Sequence, residues 1–141
     1  MGPMSRARRF TPVTQWTSER QLLGLDGERL ALAYLTACGW AVEAHRFRVG
    51  RHDADLVVRR GSLVAFVEVK TRRSGTCGSG LESVSRLKQR AIQRVAAFWA
   101  LRHGREGDQY RFDLIAVDAE GGGAPRIEHV EDAWRPESLG W

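Results

Sequence analysis

The spacing of apolar positions changes character several times along the chain. Leu22, Leu25, Ala31, Leu32 and Leu35 recur at roughly helical intervals. Ser18, followed three residues later by Gln21, gives the start of that stretch a capping-box pattern, and Gly39 stands where a helix stops. The spacing therefore predicts a first helix from Ser18 to Gly39, although Gly24 and Gly27 each weaken it by about 1 kcal/mol relative to alanine. Three strand candidates follow. Residues 40–48 alternate in part, residues 53–59 hold Leu56-Val57-Val58, and residues 63–71 are a run of strong β-formers. Arg60-Gly61 reads as the tight turn between the last two.

Residues 73–80, rich in Ser, Gly and Thr, read as a loop before a second helix that starts near Ser83 or Ser85 and runs to about residue 105. Val84, Leu87, Ala91, Val95 and Phe98 then recur at steps of three and four, which predicts the buried face of that helix. Residues 111–117 form a further strand candidate, Gly121-Gly122-Gly123 a loop, and residues 126–130 a weak last strand. Residues 1–17 read as a basic tail and residues 135–141 as an irregular one, leaving a single domain over 18–134. Strands joined by tight turns are antiparallel, whereas the strand after a long helix can return parallel. The pattern predicts an α/β fold, a mixed sheet with helices on both faces.

Composition narrows the partners. The 141-residue chain is 43% hydrophobic and carries a net charge of +5. Its isoelectric point is about 10.0. Such a balance favours an anionic partner, nucleic acid before a membrane surface, although a merely basic protein also fits. Cys38 and Cys77 form neither a CxxC pair nor a disulfide framework, so a reducing, cytoplasmic setting fits best. The basic N-terminus leads into no apolar run, the myristoylation pattern fails at Arg6, and no stretch approaches the roughly 20 apolar residues of a membrane span.

The chemistry concentrates between Asp53 and Lys70. Alternation along a strand puts Glu68 and Lys70 on one face, and likewise Asp53 and Asp55. With Arg60-Gly61 as the loop, Arg59 pairs with Ser62, Asp55 faces Phe66 and Asp53 faces Glu68. All four charges then share a face, with Asp55 diagonal to Glu68 at about 7–8 Å. Two carboxylates so placed repel each other, and a Mg²⁺ between them offsets the repulsion. A salt bridge from Glu68 to Lys70 or to an arginine, on a solvated face, is the competing account. Lysine is rare here: of 22 Lys plus Arg, only Lys70 and Lys88 are lysines. A lysine is a compact, tunable point charge suited to holding a water or a phosphate oxygen. His52, at the start of the second strand, is either a turn residue or a base beside Asp53.

An acid, a hairpin and then Glu-x-Lys resembles the signature of the PD-(D/E)xK nucleases. More narrowly, the chain resembles the YraN-like family, related in fold to Holliday-junction resolvases. The resemblance is carried by Gly27-Glu28, Asp53-Ala54-Asp55-Leu56, Phe66-Val67-Glu68-Val69-Lys70-Thr71-Arg72, Val84-Ser85-Arg86-Leu87-Lys88-Gln89 and Arg111-Phe112-Asp113. It implies a three-layer α/β/α restriction-endonuclease-like fold with a central mixed sheet. It also implies a metal-dependent DNA endonuclease. Asp55, Glu68 and the main-chain carbonyl of Val69 would then hold Mg²⁺ or Mn²⁺, with Glu28 assisting and Lys70 completing the catalytic set. By the same analogy the substrate is branched or damaged DNA, the product ends are a 5′-phosphate and a 3′-hydroxyl, and the protein acts as a homodimer. Two departures stand out. The family's Gly-Glu-Ile-Asp-Leu is His52-Asp53-Ala54-Asp55-Leu56 here, and Ala54 replaces the proline of the signature.

From Ser83 to Arg105 the second helix carries Arg86, Lys88, Arg90, Arg94, Arg102 and Arg105 and no acid, a surface able to bind phosphates. Lys88, Arg86 and Arg90, together with Arg72, are its candidate DNA contacts; a solvated basic helix is the plainer alternative. A non-catalytic nucleic-acid-binding module or an interaction scaffold would need the basic helix at most, and neither needs the acid and amine cluster.

Overall fold

The computed structural model describes residues 19–72, 84–118 and 125–136, without the side chains of residues 19–26 and of Arg72. The expectations for the N-terminal tail, the Ser18 cap, Ser83, the loops at 73–80 and 121–123, Cys77, residues 137–141 and the Arg72 side chain lie outside the described residues. The elements run α1 (Glu19–Ala37), β1 (Ala41–Val49), β2 (His52–Arg60), β3 (Leu63–Arg72), α2 (Arg86–His103), β4 (Gln109–Asp118) and β5 (Arg126–Val130). They build a three-layer α/β/α sandwich around a mixed sheet, compatible with the restriction-endonuclease-like fold. The sheet order is β1-β2-β3-β4-β5. Only β3 and β4, joined through α2, are parallel. The other three pairings are antiparallel.

Alternation sorts the core into two layers. Odd positions of β4 and β3 with even positions of β2 face α1: Ile115, Val117, Ala65, Val67, Leu56 and Val58 pack with Ala31, Leu35 and Trp40. The opposite parity faces α2, where Val57, Val64, Phe66, Phe112 and Leu114 pack with Ile92, Val95, Ala96 and Trp99. α1 stops as its sequence predicts. Gly39 takes a φ of +92°, and the Trp40 N–H turns back to the Leu35 carbonyl at 3.0 Å. α1 also comes unusually close to the sheet, since a Cβ on Gly27 would collide with Thr71 Oγ1 at the end of β3.

Two expectations need correction. The β2–β3 loop is Gly61-Ser62, because Arg60 pairs with Leu63 and Gly61 takes the left-handed φ of +65° that a two-residue hairpin loop requires. The register is displaced, with Leu56 opposite Val67, so its continuation sets Asp55 directly opposite Glu68 rather than diagonal to it. The displacement is even, so Asp55 and Glu68 keep matching parity, but alternation along β2 breaks at Asp55, since Ala54 packs in the same layer as Val57. On α2, Ala91 and Val95 are buried as predicted, but Leu87 and Phe98 are exposed, at 77% and 50%. The buried stripe is rotated toward Ile92, Ala96 and Trp99, because Trp99 fills the space over Phe66. No helix among the described residues is long and apolar enough to cross a membrane.

Candidate active site

The site forms where the β2–β3 ladder ends. Paired residues run from Arg60 and Leu63 to Leu56 and Val67, and there the two strands exchange side-chain bonds instead. The Asp55 N–H donates to Glu68 Oε2 at 3.3 Å, and the Val69 N–H donates to Asp55 Oδ2 at 2.9 Å. Each carboxylate thus reaches across to the amide of the opposite strand. The ladder on the other side of β2 is also irregular, since its partners run from His45 and Leu56 to Phe47 and Ala54 and skip Arg46 and Asp55. Arg46 itself sits at a φ of +56°. That conformation costs a non-glycine residue about 1–3 kcal/mol and turns its guanidinium toward α1.

Its partner there is Glu28, one residue beyond the close contact at Gly27. Glu28 is only 7% exposed. His45 Nε2 lies 2.5 Å from its Oε1, with Arg46 Nε at 3.2 Å, and Arg46 Nη2 lies 3.0 Å from its Oε2. Burial pushes the Glu28 carboxyl up, but the bonds from His45 and Arg46 outweigh it and hold the group below the usual carboxylate range. Glu28 is therefore an ionised neighbour of the site, with both oxygens engaged.

Asp55 and Glu68 behave in the opposite way. Burial pushes Asp55 up to about 7, with the charges of Glu28 and Asp53 adding to it and the Val69 N–H opposing. Glu68, 5% exposed, is pushed well above its ordinary range by burial and then by Asp55. Two adjacent acids, Glu68 buried and Asp55 half-buried, that both resist ionising are a site short of positive charge.

Part of that charge comes from α2. Ser85 caps the helix, its Oγ accepting the Lys88 N–H at 3.2 Å, which brings Lys88 over the strands. Lys88 Nζ lies 3.6 Å from Glu68 Oε1. Burial pulls Lys88 down, but Glu68, Asp55 and Asp53 together raise it, so it stays charged. Lys70 shares the face of Glu68 and is half-buried. Neither a hydrogen bond nor an ion pair ties Lys70 to the other described residues. Asp53 is half-buried, and His52 is an exposed residue at the start of β2 beside the Gly50-Arg51 turn.

The oxygen donors suit a small hard cation. Among the described residues no three His, Cys, Asp or Glu side chains form a metal cage. Two carboxylates and the Val69 carbonyl are instead the sparse set that Mg²⁺ takes, since it keeps several of its waters. Asp55 and Glu68 meet across the two strands, the Val69 N–H bonds to Asp55, and Glu28 stands nearby in its own ion pair with Arg46.

Arg86 and Arg90 lie on the exposed side of α2 and, with Gln89, Gln93 and Arg135, line a groove of about 330 Å³ whose described lining residues include no acid. Arg135 was assigned to an irregular tail, and nothing in its local sequence announces this placement. A larger cavity of about 670 Å³ opens at the starts of β3 and β4, lined in part by Asp108, Tyr110, Asp132 and Trp134. Asp113, expected as a structural partner of Arg111, is fully buried and receives Arg111 Nε and Nη2 at 2.8 Å each. His45 and Arg46, which hold Glu28, carried no signal in the sequence.

A family model described as "Uncharacterised protein family UPF0102" matches residues 27–117, a span that includes Glu28, both strands of the hairpin and α2. A UPF0102 protein of Anaeromyxobacter dehalogenans is 43% identical over 115 residues, covering 82% of this chain and 85% of its own. One from Geobacter sulfurreducens is 38% identical over 123 residues, covering 87% and 96%. One from Rhodococcus jostii is 41% identical over 112 residues, covering 79% and 95%. Matches this long place the chain in the UPF0102 family, the YraN-like group whose motifs its β2–β3 hairpin carries.

Proposed function

We propose that the protein is a metal-dependent endodeoxyribonuclease that hydrolyses phosphodiester bonds, with branched or damaged DNA as its substrate class. The observation that carries this reading is the crossed pair Asp55 and Glu68, each bonded to the other strand's amide and both resisting ionisation. Structural salt bridges place opposite charges together; this site places like charges together, which is useful only where a cation completes it.

On this reading Asp55, Glu68 and the Val69 carbonyl hold the ion. Bound Mg²⁺ or Mn²⁺ supplies a more acidic water and stabilises charge on the scissile phosphate. Lys70, on the same face as Glu68, orients the attacking water and faces the phosphate oxygens. Glu28, ionised and fixed by His45 and Arg46, keeps the field on Asp55 negative. Arg86, Lys88 and Arg90 on α2 hold the DNA backbone, with Arg72 at the end of β3. Water attacks phosphorus, the bond to the 3′-oxygen breaks, and the 3′-oxygen takes up a proton, leaving a 5′-phosphate. The setting is cytoplasmic, and a homodimer would place two such centres on paired strands.

The test is cleavage of duplex, single-stranded and four-way DNA with Mg²⁺ or Mn²⁺, alongside Lys70→Ala. The expected result is metal-dependent nicking that falls at least about 100-fold in Lys70→Ala. Activity unchanged by Lys70→Ala overturns the assignment. A second reading, a non-catalytic nucleic-acid-binding module, draws on the groove lined by Arg86, Arg90 and Arg135. It predicts binding that weakens steeply with salt and no cleavage of any substrate.

A further inference from the structure

The amine closest to the acids is not the one in the Glu-x-Lys motif. Lys88 Nζ is 3.6 Å from Glu68 Oε1, whereas Lys70 makes no such pair among the described residues. A tight charge-assisted bond would be about 2.7–2.9 Å long. The Lys88 contact is therefore a charge pairing without a close hydrogen bond. The two partners also differ in burial: the Glu68 side chain is 7% exposed and that of Lys88 49%. Glu68 is locked between strands, while Lys88 hangs on a flexible stem from the first turn of an exposed helix. Arg86 and Arg90 lie two residues to either side of it on α2, and both are exposed.

We propose that Lys88 is a tethered counter-cation for Asp55 and Glu68, displaced by the divalent ion and released to a phosphate of the nucleic acid. The inference rests on the proposed nuclease reading and adds to it an order of events. A monovalent ammonium and a divalent ion compete for one pair of carboxylates, and the divalent ion wins on charge. The released ammonium, half-exposed on the basic helix α2, is then available to a phosphate. Metal binding and backbone binding are coupled through one side chain, because occupancy of the carboxylates decides where Lys88 can go. Lys88 acts here as a positioning residue.

The test is Mn²⁺ binding by the full chain, read from the free-ion paramagnetic resonance signal, in wild type, Lys88→Met, Lys88→Arg and Arg102→Met. Lys88→Met removes the competitor and should bind Mn²⁺ about tenfold more tightly or better. Lys88→Arg keeps the charge, and Arg102→Met removes an exposed charge at the far end of α2; both should stay within about twofold of wild type. A second measurement uses duplex DNA in a Lys70→Ala background. With Mn²⁺ present, Lys88→Met should reduce the slope of affinity against salt by about one; without Mn²⁺ it should leave the slope unchanged. Wild-type Mn²⁺ binding that Lys88→Met leaves equal or weaker overturns the inference and spares the nuclease reading. A gain shared by Arg102→Met overturns it too, as a general field effect. Absence of Mn²⁺ binding in wild type and Lys88→Met alike removes both.

Discussion

Asp55 and Asp113 are two carboxylates of the same sheet with opposite fates, and the difference is who faces them. Burial pushes Asp113 up, but His129, Arg111 and the Asp132 N–H overcome it and hold the group below the usual range. His129 Nε2 lies 2.8 Å from Asp113 Oδ2, while its Nδ1 lies 3.0 Å from the Tyr34 hydroxyl. A carboxylate only accepts, so Nε2 carries the proton in that contact. Asp55 has one amide against it and two acids nearby. The consequences for stability run in opposite directions. Between about pH 4 and pH 7 the folded protein holds a proton on Asp55 that the unfolded chain has released, so stability falls as pH rises through that window. Asp113, Asp108 and Glu28 are depressed, so their contribution is present above the usual carboxylate range and is lost as pH falls below about 4. Metal-free protein should therefore be most stable near about pH 4, as thermal unfolding across pH will read. Asp55→Asn should remove much of the fall above that maximum and raise metal-free stability at pH 8 by roughly 1–3 kcal/mol. A fall in stability from this change would mean that the acid is well compensated as it stands. Asp113→Asn should instead cost about 3–5 kcal/mol in denaturant unfolding, because Arg111 and His129 lose their buried partner.

At the scale of elements, local pattern was a good guide wherever the local signal was also the tertiary one. The capped start of α2 at Ser85, the stop at Gly39 and all five strands were legible to within a few residues. The hairpin loop was displaced by one residue because Arg60-Gly61 and Gly61-Ser62 read equally well, and only the left-handed φ at Gly61 separates them. The apolar face of α2 was rotated because Leu87 and Phe98 sit at helical spacing yet point outward, and periodicity cannot tell a buried stripe from an adjacent one. Gly27 was legible only as a weakness in α1. Its place against Thr71 is a contact between α1 and β3 that no local window contains. Gly27→Ala should push α1 off the sheet end and cost about 1–3 kcal/mol, measured by chemical denaturation. It should also loosen Glu28 from His45 and Arg46; unchanged stability would show that α1 has room to shift.

For the whole molecule, the fold brings three distant pieces of sequence to one point: Glu28 from α1, the carboxylates of the hairpin, and Lys88 from α2. That Asp55 and Glu68 approach each other could be read from alternation, because an even displacement of register keeps their parity. The pairing of Lys88 with Glu68 could not, because it depends on how far α2 leans over the sheet, and that is set by Trp99, Ile92 and Val95 packing on Phe66 and Val57. The one hint was that Lys88 is the second of only two lysines. The central claim is that Asp55 and Glu68 together seat a divalent ion, and the most direct test is Mn²⁺ titration of wild type, Asp55→Asn and Glu68→Gln, each shown to be folded by thermal unfolding. A single bound ion per wild-type chain, with affinity lowered at least about 100-fold in both variants, is the expected result. Mn²⁺ binding that either variant leaves intact would contradict it.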